Sequence, residues 1–130
     1  MDSEVDDLIA EINDFLAKLS EESRWKRDNP YVIDLIRVLY THDKGLDRKQ
    51  VMRDLRKIRV SKGLEIPEAF EETVQSAFQA YAGAYSSFSN RGAPETDNLF
   101  YAPQGKGRGV WAVRRERAEA WLIARKSEVY

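Results

Sequence analysis

The sequence predicts a mainly α-helical domain that carries one small β-hairpin. Apolar residues recur at helical spacing along most of the chain, and the period changes only after about residue 83. There a turn-rich stretch precedes two short β-prone runs, which flank a loop containing three glycines. A chain of 130 residues, 42% hydrophobic and 33% charged, has room for one such domain with helical additions.

The first predicted helix runs from about Ser3 to Glu22, within an N-terminal segment of residues 1–23. Ser3 is suited to cap it, because its hydroxyl can accept a hydrogen bond from a free backbone N–H. The apolar stripe comprises Val5, Leu8, Ile12, Phe15 and Leu19, widened by Ile9 and Leu16. Such a stripe must be covered. We therefore expect this helix either to pack on the core of its own domain or to form a homodimer seam.

Three helices are predicted in the central region, residues 30–113. Pro30 permits the first to begin, Asp47 followed by Gln50 resembles a capping box that opens the second, and Pro67 fits the first turn of the third, which Gly83 would end. The apolar positions of the three helices, in order, are Tyr31, Ile33, Leu35, Ile36, Leu39 and Tyr40; Val51, Leu55 and Ile58; and Phe70, Val74, Ala77, Phe78 and Tyr81.

A further helix is predicted in the C-terminal segment, residues 114–130. It spans about Arg114 to Lys126 and would bury Ala118, Trp121 and Leu122. The helices predicted at the two ends of the chain thus flank the central region.

Three short helices followed by a glycine-tipped hairpin form the arrangement of a winged helix-turn-helix, with the hairpin as the wing. Residues 66–74, 98–101 and 105–113 make the pattern more specific, and the hairpin follows F-Y-x-P-x-G-K-G-x-G-V-W-A. Over residues 30–115 the sequence resembles the winged-helix modules related to the HARE-type helix-turn-helix, which are found beside restriction-endonuclease and other DNA-processing domains. The resemblance implies a DNA-binding or DNA-targeting module whose chemistry usually sits in a separate domain.

The net charge of −1 hides a division of the chain into four blocks. Residues 1–23 carry a net charge of −7, residues 24–63 carry +7, residues 64–103 carry −5 and residues 104–130 carry +4. Two basic blocks in a nearly neutral protein favour a focused positive surface over a uniformly basic one. We expect that surface to contact the phosphates of double-stranded DNA.

Candidate DNA-binding residues fall into three groups. The third helix has no basic residue on its exposed face and carries Glu72 there, so it is expected to bind DNA poorly by itself. Its amides and hydroxyl can pair with base edges, whereas the basic residues of the second helix and of the hairpin are expected on phosphates or in the minor groove. The candidates are Lys49, Arg53, Arg56 and Lys57 of the second helix; Gln75, Ser76 and Gln79 of the third; and Asn90, Arg91, Lys106 and Arg108 of the later loops.

Catalysis has little material in this sequence. The chain contains no cysteine and one histidine, His42, in a predicted turn, so we expect no metal, no cofactor and no enzymatic activity. The loop GKGRG lacks the spacing of a nucleotide-binding Walker motif. No apolar stretch is long enough for a membrane span, and the acidic start is unlike a targeting leader. We expect a cytoplasmic protein, associated with the nucleoid if bacterial.

The leading interpretation is therefore a non-enzymatic DNA-binding protein, acting as a transcriptional regulator or an accessory DNA-targeting factor. The alternative is a winged-helix adaptor that binds a protein, favoured by the acidic third helix and the acidic N-terminal segment. RNA binding is a weaker alternative, because the β elements are too few for a base-stacking platform.

Overall fold

The computed structural model describes residues 30–129 together with Asp7 and Ala10, and it describes side chains as far as Arg125. Asp7 and Ala10 are both helical and exposed. The rest of the predicted helix from Ser3 to Glu22, and with it the question of packing or dimerisation, lies outside the described residues.

The described chain is mainly helical and carries a small antiparallel sheet. Its elements follow one another as α1 Pro30–Leu39, β1 Leu46–Asp47, α2 Arg48–Ser61, α3 Phe70–Ala80, α4 Ser86–Asn90, a 3₁₀ turn Glu95–Asp97, β2 Phe100–Tyr101, β3 Val110–Val113 and α5 Arg115–Val129.

The sheet has three strands in the order β1-β3-β2. The predicted hairpin is confirmed, since Phe100 lies opposite Val113 and Tyr101 lies opposite Ala112. The strand β1 was not predicted: Leu46 pairs with Trp111, and Asp47 pairs with Val110. Two residues are too few to show a period-two pattern, so only pairing with β3 makes this segment a strand.

The core lies between the apolar stripes of α1, α2, α3 and α5 and the inner face of the hairpin. Every apolar position predicted for α1, α3 and α5 is buried, and in α2 Val51 and Leu55 are buried while Ile58 is partly buried. Phe78 of α3 stacks on Trp111 of β3, with ring centroids 4.1 Å apart, and on Phe100 of β2 at 5.4 Å. These contacts hold the hairpin against α3.

Two helix starts differ from the sequence prediction, and a third agrees with it. The backbone N–H of Phe70 bonds to the carbonyl of Pro67, so Pro67 belongs to a turn before α3 rather than to the helix. Arg114 precedes α5, because its backbone N–H donates to the carbonyl of Leu99. Asp47 does cap α2 by accepting from the N–H of Lys49.

The turn-rich stretch after α3 also contains two short elements that were not predicted, α4 and the 3₁₀ turn. Gly83 follows the end of α3, and its N–H donates to Asn98 Oδ1 at 2.8 Å. A Cβ at Gly83 would lie 2.6 Å from Asn98 Nδ2, so the position accepts no side chain without a shift. Close approach therefore explains this glycine.

Candidate nucleic-acid interface

The outer face of α2 carries most of the predicted phosphate-binding residues. Val51, Met52 and Leu55 are buried against the core. Because a helix turns once in 3.6 residues, Lys49, Arg53 and Lys57 point to the opposite side, where all three are exposed. The Arg53 guanidinium donates to Gln50 Oε1 at 2.6 Å, which holds it along the helix without cancelling its charge.

Arg56 differs from those three cations because it pairs with Glu71 of α3. The Arg56 guanidinium lies 2.5 Å from Glu71 Oε2, and that of Arg48 lies 3.6 Å from Glu71 Oε1. The hydrogen bond from Arg56, supported by the charges of both arginines, lowers the pKa of the Glu71 carboxyl. Arg56 is thus in an ion pair that the sequence did not predict, whereas Lys49, Arg53 and Lys57 make no ion pair within the described part of the chain.

An open groove of about 730 Å³ runs along α2. Two apolar residues line it, the exposed Val60 and the almost fully buried Met52, and Glu71 is its one acidic lining residue. The remaining lining residues are Arg48, Lys49, Arg53, Arg56, Lys57 and Ser61. The lining of the groove is therefore strongly basic and partly apolar.

A second, smaller cleft of about 260 Å³ lies between α3 and the hairpin. Gln75, Gln79, Tyr85 and Trp111 line it, together with Arg48 and the backbone of the hairpin loop. Gln75 Oε1 accepts from Arg48 Nε at 3.0 Å, so that oxygen is engaged. Burial raises the pKa of the Tyr85 hydroxyl further above neutral.

Arg48 joins the two sites because it lines both the groove and the cleft. Its backbone N–H donates to the carbonyl of Gly109 at 2.7 Å, which ties the start of α2 to the hairpin loop. Its guanidinium also lies over the Trp111 ring at 5.8 Å. Arg48 thus connects the groove along α2 with the cleft beside the hairpin loop.

The hairpin loop carries the other two predicted cations. Gly105, Gly107 and Gly109 all have positive φ, between 80° and 102°, a backbone conformation that favours glycine. Lys106 folds towards the connector between α3 and α4: its ammonium donates to the carbonyl of Ala84 and lies 5.3 Å from the centre of the Tyr85 ring. Arg108 is exposed at the tip.

The remaining predicted residues lie in different settings. Ser76 is exposed on α3, and Asn90 is exposed at the end of α4. The Arg91 guanidinium donates to the carbonyl of Ala80, bonds to Asp97 at 3.1 Å and stacks on the Tyr81 ring at 4.2 Å. These contacts give Arg91 a structural task in holding the segment after α3.

Sequence reasoning missed Arg48 and Glu71 as parts of the site. Arg48 directly follows the capping residue of α2, so its position at the helix start was visible but its two neighbours were not. Glu71 lies in the first turn of α3, and no local feature of the sequence connects it to α2. Glu71 pairs with Arg56, 15 residues earlier in the chain, and this pairing depends on how α2 and α3 pack against each other.

The described residues contain no group of three or more histidine, aspartate or glutamate side chains placed to hold a metal ion. Within the same residues, no helix is both long enough and apolar enough to cross a membrane.

Comparison with known proteins leaves the predicted resemblance as a prediction. The chain matches no protein-family model, and neither the curated proteins nor the solved structures include a significant match.

Proposed function

We propose that this chain is a non-enzymatic winged-helix module that binds double-stranded DNA through α2 and the hairpin loop. The element order and the three-stranded sheet support the fold: α2 and α3 are consecutive helices, and β1 joins the hairpin at their base. In this arrangement α3 and the hairpin present neighbouring surfaces to a duplex.

The observation that carries the proposal is that exposed cations of α2 and of the hairpin loop lie beside two recesses that share Arg48. Lys49, Arg53 and Lys57 lie along one groove, Lys106 and Arg108 lie on the loop beside the adjoining cleft, and Arg48 lines both. Exposed cations of this kind neutralise phosphates and release counterions, which stabilises a protein–DNA complex without reading its sequence.

The acidic residues at the start of α3 limit which part of this helix can lie close to the DNA phosphates. Glu68 and Glu72 are exposed, whereas the charge of Glu71 is offset by Arg48 and Arg56. Carboxylates near phosphates are unfavourable, so the first turn of α3 stays away from the backbone. Gln79 and Ser76, farther along α3, are the residues left to pair with base edges, and specificity is modest.

Binding of the full chain to a random 30-base-pair duplex, followed by fluorescence anisotropy across a salt series, tests the proposal. We expect the affinity to fall steeply as salt rises, and Lys106→Glu with Arg108→Glu to remove most of it. Absence of binding at low salt would refute DNA binding.

The second candidate function is a protein-binding adaptor, favoured by the exposed glutamates at the start of α3. The two functions separate by mutation. Arg53→Glu with Lys57→Glu, at two exposed cations without an acidic partner among the described residues, abolishes duplex binding if the chain binds DNA, whereas an adaptor loses its protein partner on substitution of Gln75 or Gln79.

A further inference from the structure

The groove along α2 contains more than phosphate contacts need. Val60, which lines it among basic residues, is 65% exposed and offers an apolar contact there. Leu64 and Ile66, in the connector after α2, are exposed as well. A DNA backbone offers anions but no apolar side chain to cover these residues. The groove fits a partner that has both an apolar stripe and negative charge.

The chain itself contains such a partner. Residues 1–23 carry eight acidic residues and one basic residue, and their apolar residues recur at helical spacing. The groove lining contains five basic residues and one acidic residue. Charge and apolar character are therefore complementary between this segment and the groove.

The continuous described region begins at residue 30, close to one end of the α2 groove. Tyr31, at the start of α1, packs under the Arg59 guanidinium of α2 at 5.5 Å. Arg59 precedes Val60 and Ser61, which form one end of the groove. The seven residues 23–29 can span up to about 24 Å when extended. The groove follows α2 from Lys49 to Ser61, about 18 Å at helical rise, so a segment of 20 residues is long enough to cover it.

We propose that residues 3–22 bind in the α2 groove of the same chain, with the apolar stripe on Val60 and the aliphatic parts of the basic side chains, and with the carboxylates against Lys49, Arg53 and Lys57. The segment then occupies the surface proposed for DNA and competes with a duplex for it. The competition rests on the proposed function, but the docking does not.

Zero-length cross-linking of the full chain tests the docking directly. A carbodiimide joins a carboxylate to a lysine amine only when the two are in contact, and peptide mapping of the monomer band locates the joined residues. We expect links from residues 3–22 to Lys49 and Lys57, and fewer to Lys44 and Lys106. Val60→Ser should reduce the links to α2, whereas Ile123→Ser, which changes a similarly exposed residue on α5, should leave them unchanged.

Other patterns overturn the proposal. Links spread evenly over all four lysines would mean that the segment has no preferred site, and links found only in a dimer band would assign the groove to a second copy. A 30-base-pair duplex should displace the monomer links, and Val60→Ser should raise duplex affinity severalfold. Links that form in a chain without duplex affinity would refute the proposed function alone, whereas duplex binding without links would refute the docking alone.

Discussion

Removing Arg53 and Lys57 from α2 gives a quantitative test of phosphate contact. Both are exposed on the groove, and neither pairs with an acidic residue among those described. We choose Arg53→Gln with Lys57→Gln because glutamine keeps the helix propensity and most of the side-chain length while removing the charge.

The expected salt dependence of duplex affinity follows from which cations are already in ion pairs. Arg48 and Arg56 share Glu71, which leaves Lys49, Arg53, Lys57, Lys106 and Arg108 as the cations of this surface without an acidic partner. Five phosphate contacts give a slope of about −4.5 for log K against log salt, and three give about −2.7. Between 50 and 200 mM salt, affinity should fall about 500-fold for the unmodified chain and about 40-fold for the variant.

Fluorescence anisotropy with a labelled duplex at four or five salt concentrations measures both slopes. Arg115→Gln with Arg117→Gln is the matched control, because it removes the same charge from α5, where these arginines bond to Tyr40 and Glu95. Circular dichroism must show that both variants remain folded. An equal reduction of the slope in both would mean that net charge, rather than contact at α2, governs binding. An unchanged slope in the α2 variant would refute the assignment of these two residues.

Three further predictions concern stability and are checked by chemical denaturation. Phe78→Ala should lower the free energy of unfolding by about 3–5 kcal/mol, because it removes the ring that stacks on the hairpin; a loss below about 1 kcal/mol would show that the stack does not hold it. Gly45→Ala should destabilise more than Gly63→Ala: both have positive φ, but a Cβ at Gly45 would lie 2.8 Å from Val110, whereas the space at Gly63 is open. Lys62→Gln should cost about 1–2 kcal/mol at neutral pH, since it removes the cation 3.5 Å from buried Asp34. Burial raises the pKa of Asp34, so the folded state takes up a proton more readily than the unfolded one. The cost should therefore shrink as pH falls through that pKa, and a pH-independent cost would contradict this cause.

The sequence predicted the helices and the core faces well because their signals are local. An amphipathic stripe such as Phe70, Val74 and Phe78 has one way to bury its apolar side, and the structure buries it. The hairpin could also be predicted, since the β-prone run Val110–Val113 and the preceding glycines indicate a strand after a tight loop. Trp111, in the middle of that run, is buried in the core.

The candidate site was harder to predict from the sequence, although most of its cations were among the predicted DNA-binding residues. Exposure of Lys49, Arg53 and Lys57 follows from helical periodicity, but the ion pair of Arg56 does not. Arg91 also looked available in a turn-rich stretch, yet it bonds to Ala80 and Asp97. A long cationic side chain reaches several neighbours, and its partner depends on which loops the fold brings within that reach.

The sequence by itself determined which faces of the helices are apolar, where the glycine-tipped hairpin lies and how charge is divided along the chain. Those properties depend on residues a few positions apart, so the order of amino acids contains them. Only the tertiary structure decided that Leu46 and Asp47 form a strand, that Glu71 pairs with both Arg48 and Arg56, and that Arg48 lines both the groove and the cleft. Each of these depends on segments that are distant in sequence and become neighbours only when α2, α3 and the hairpin pack around their shared core.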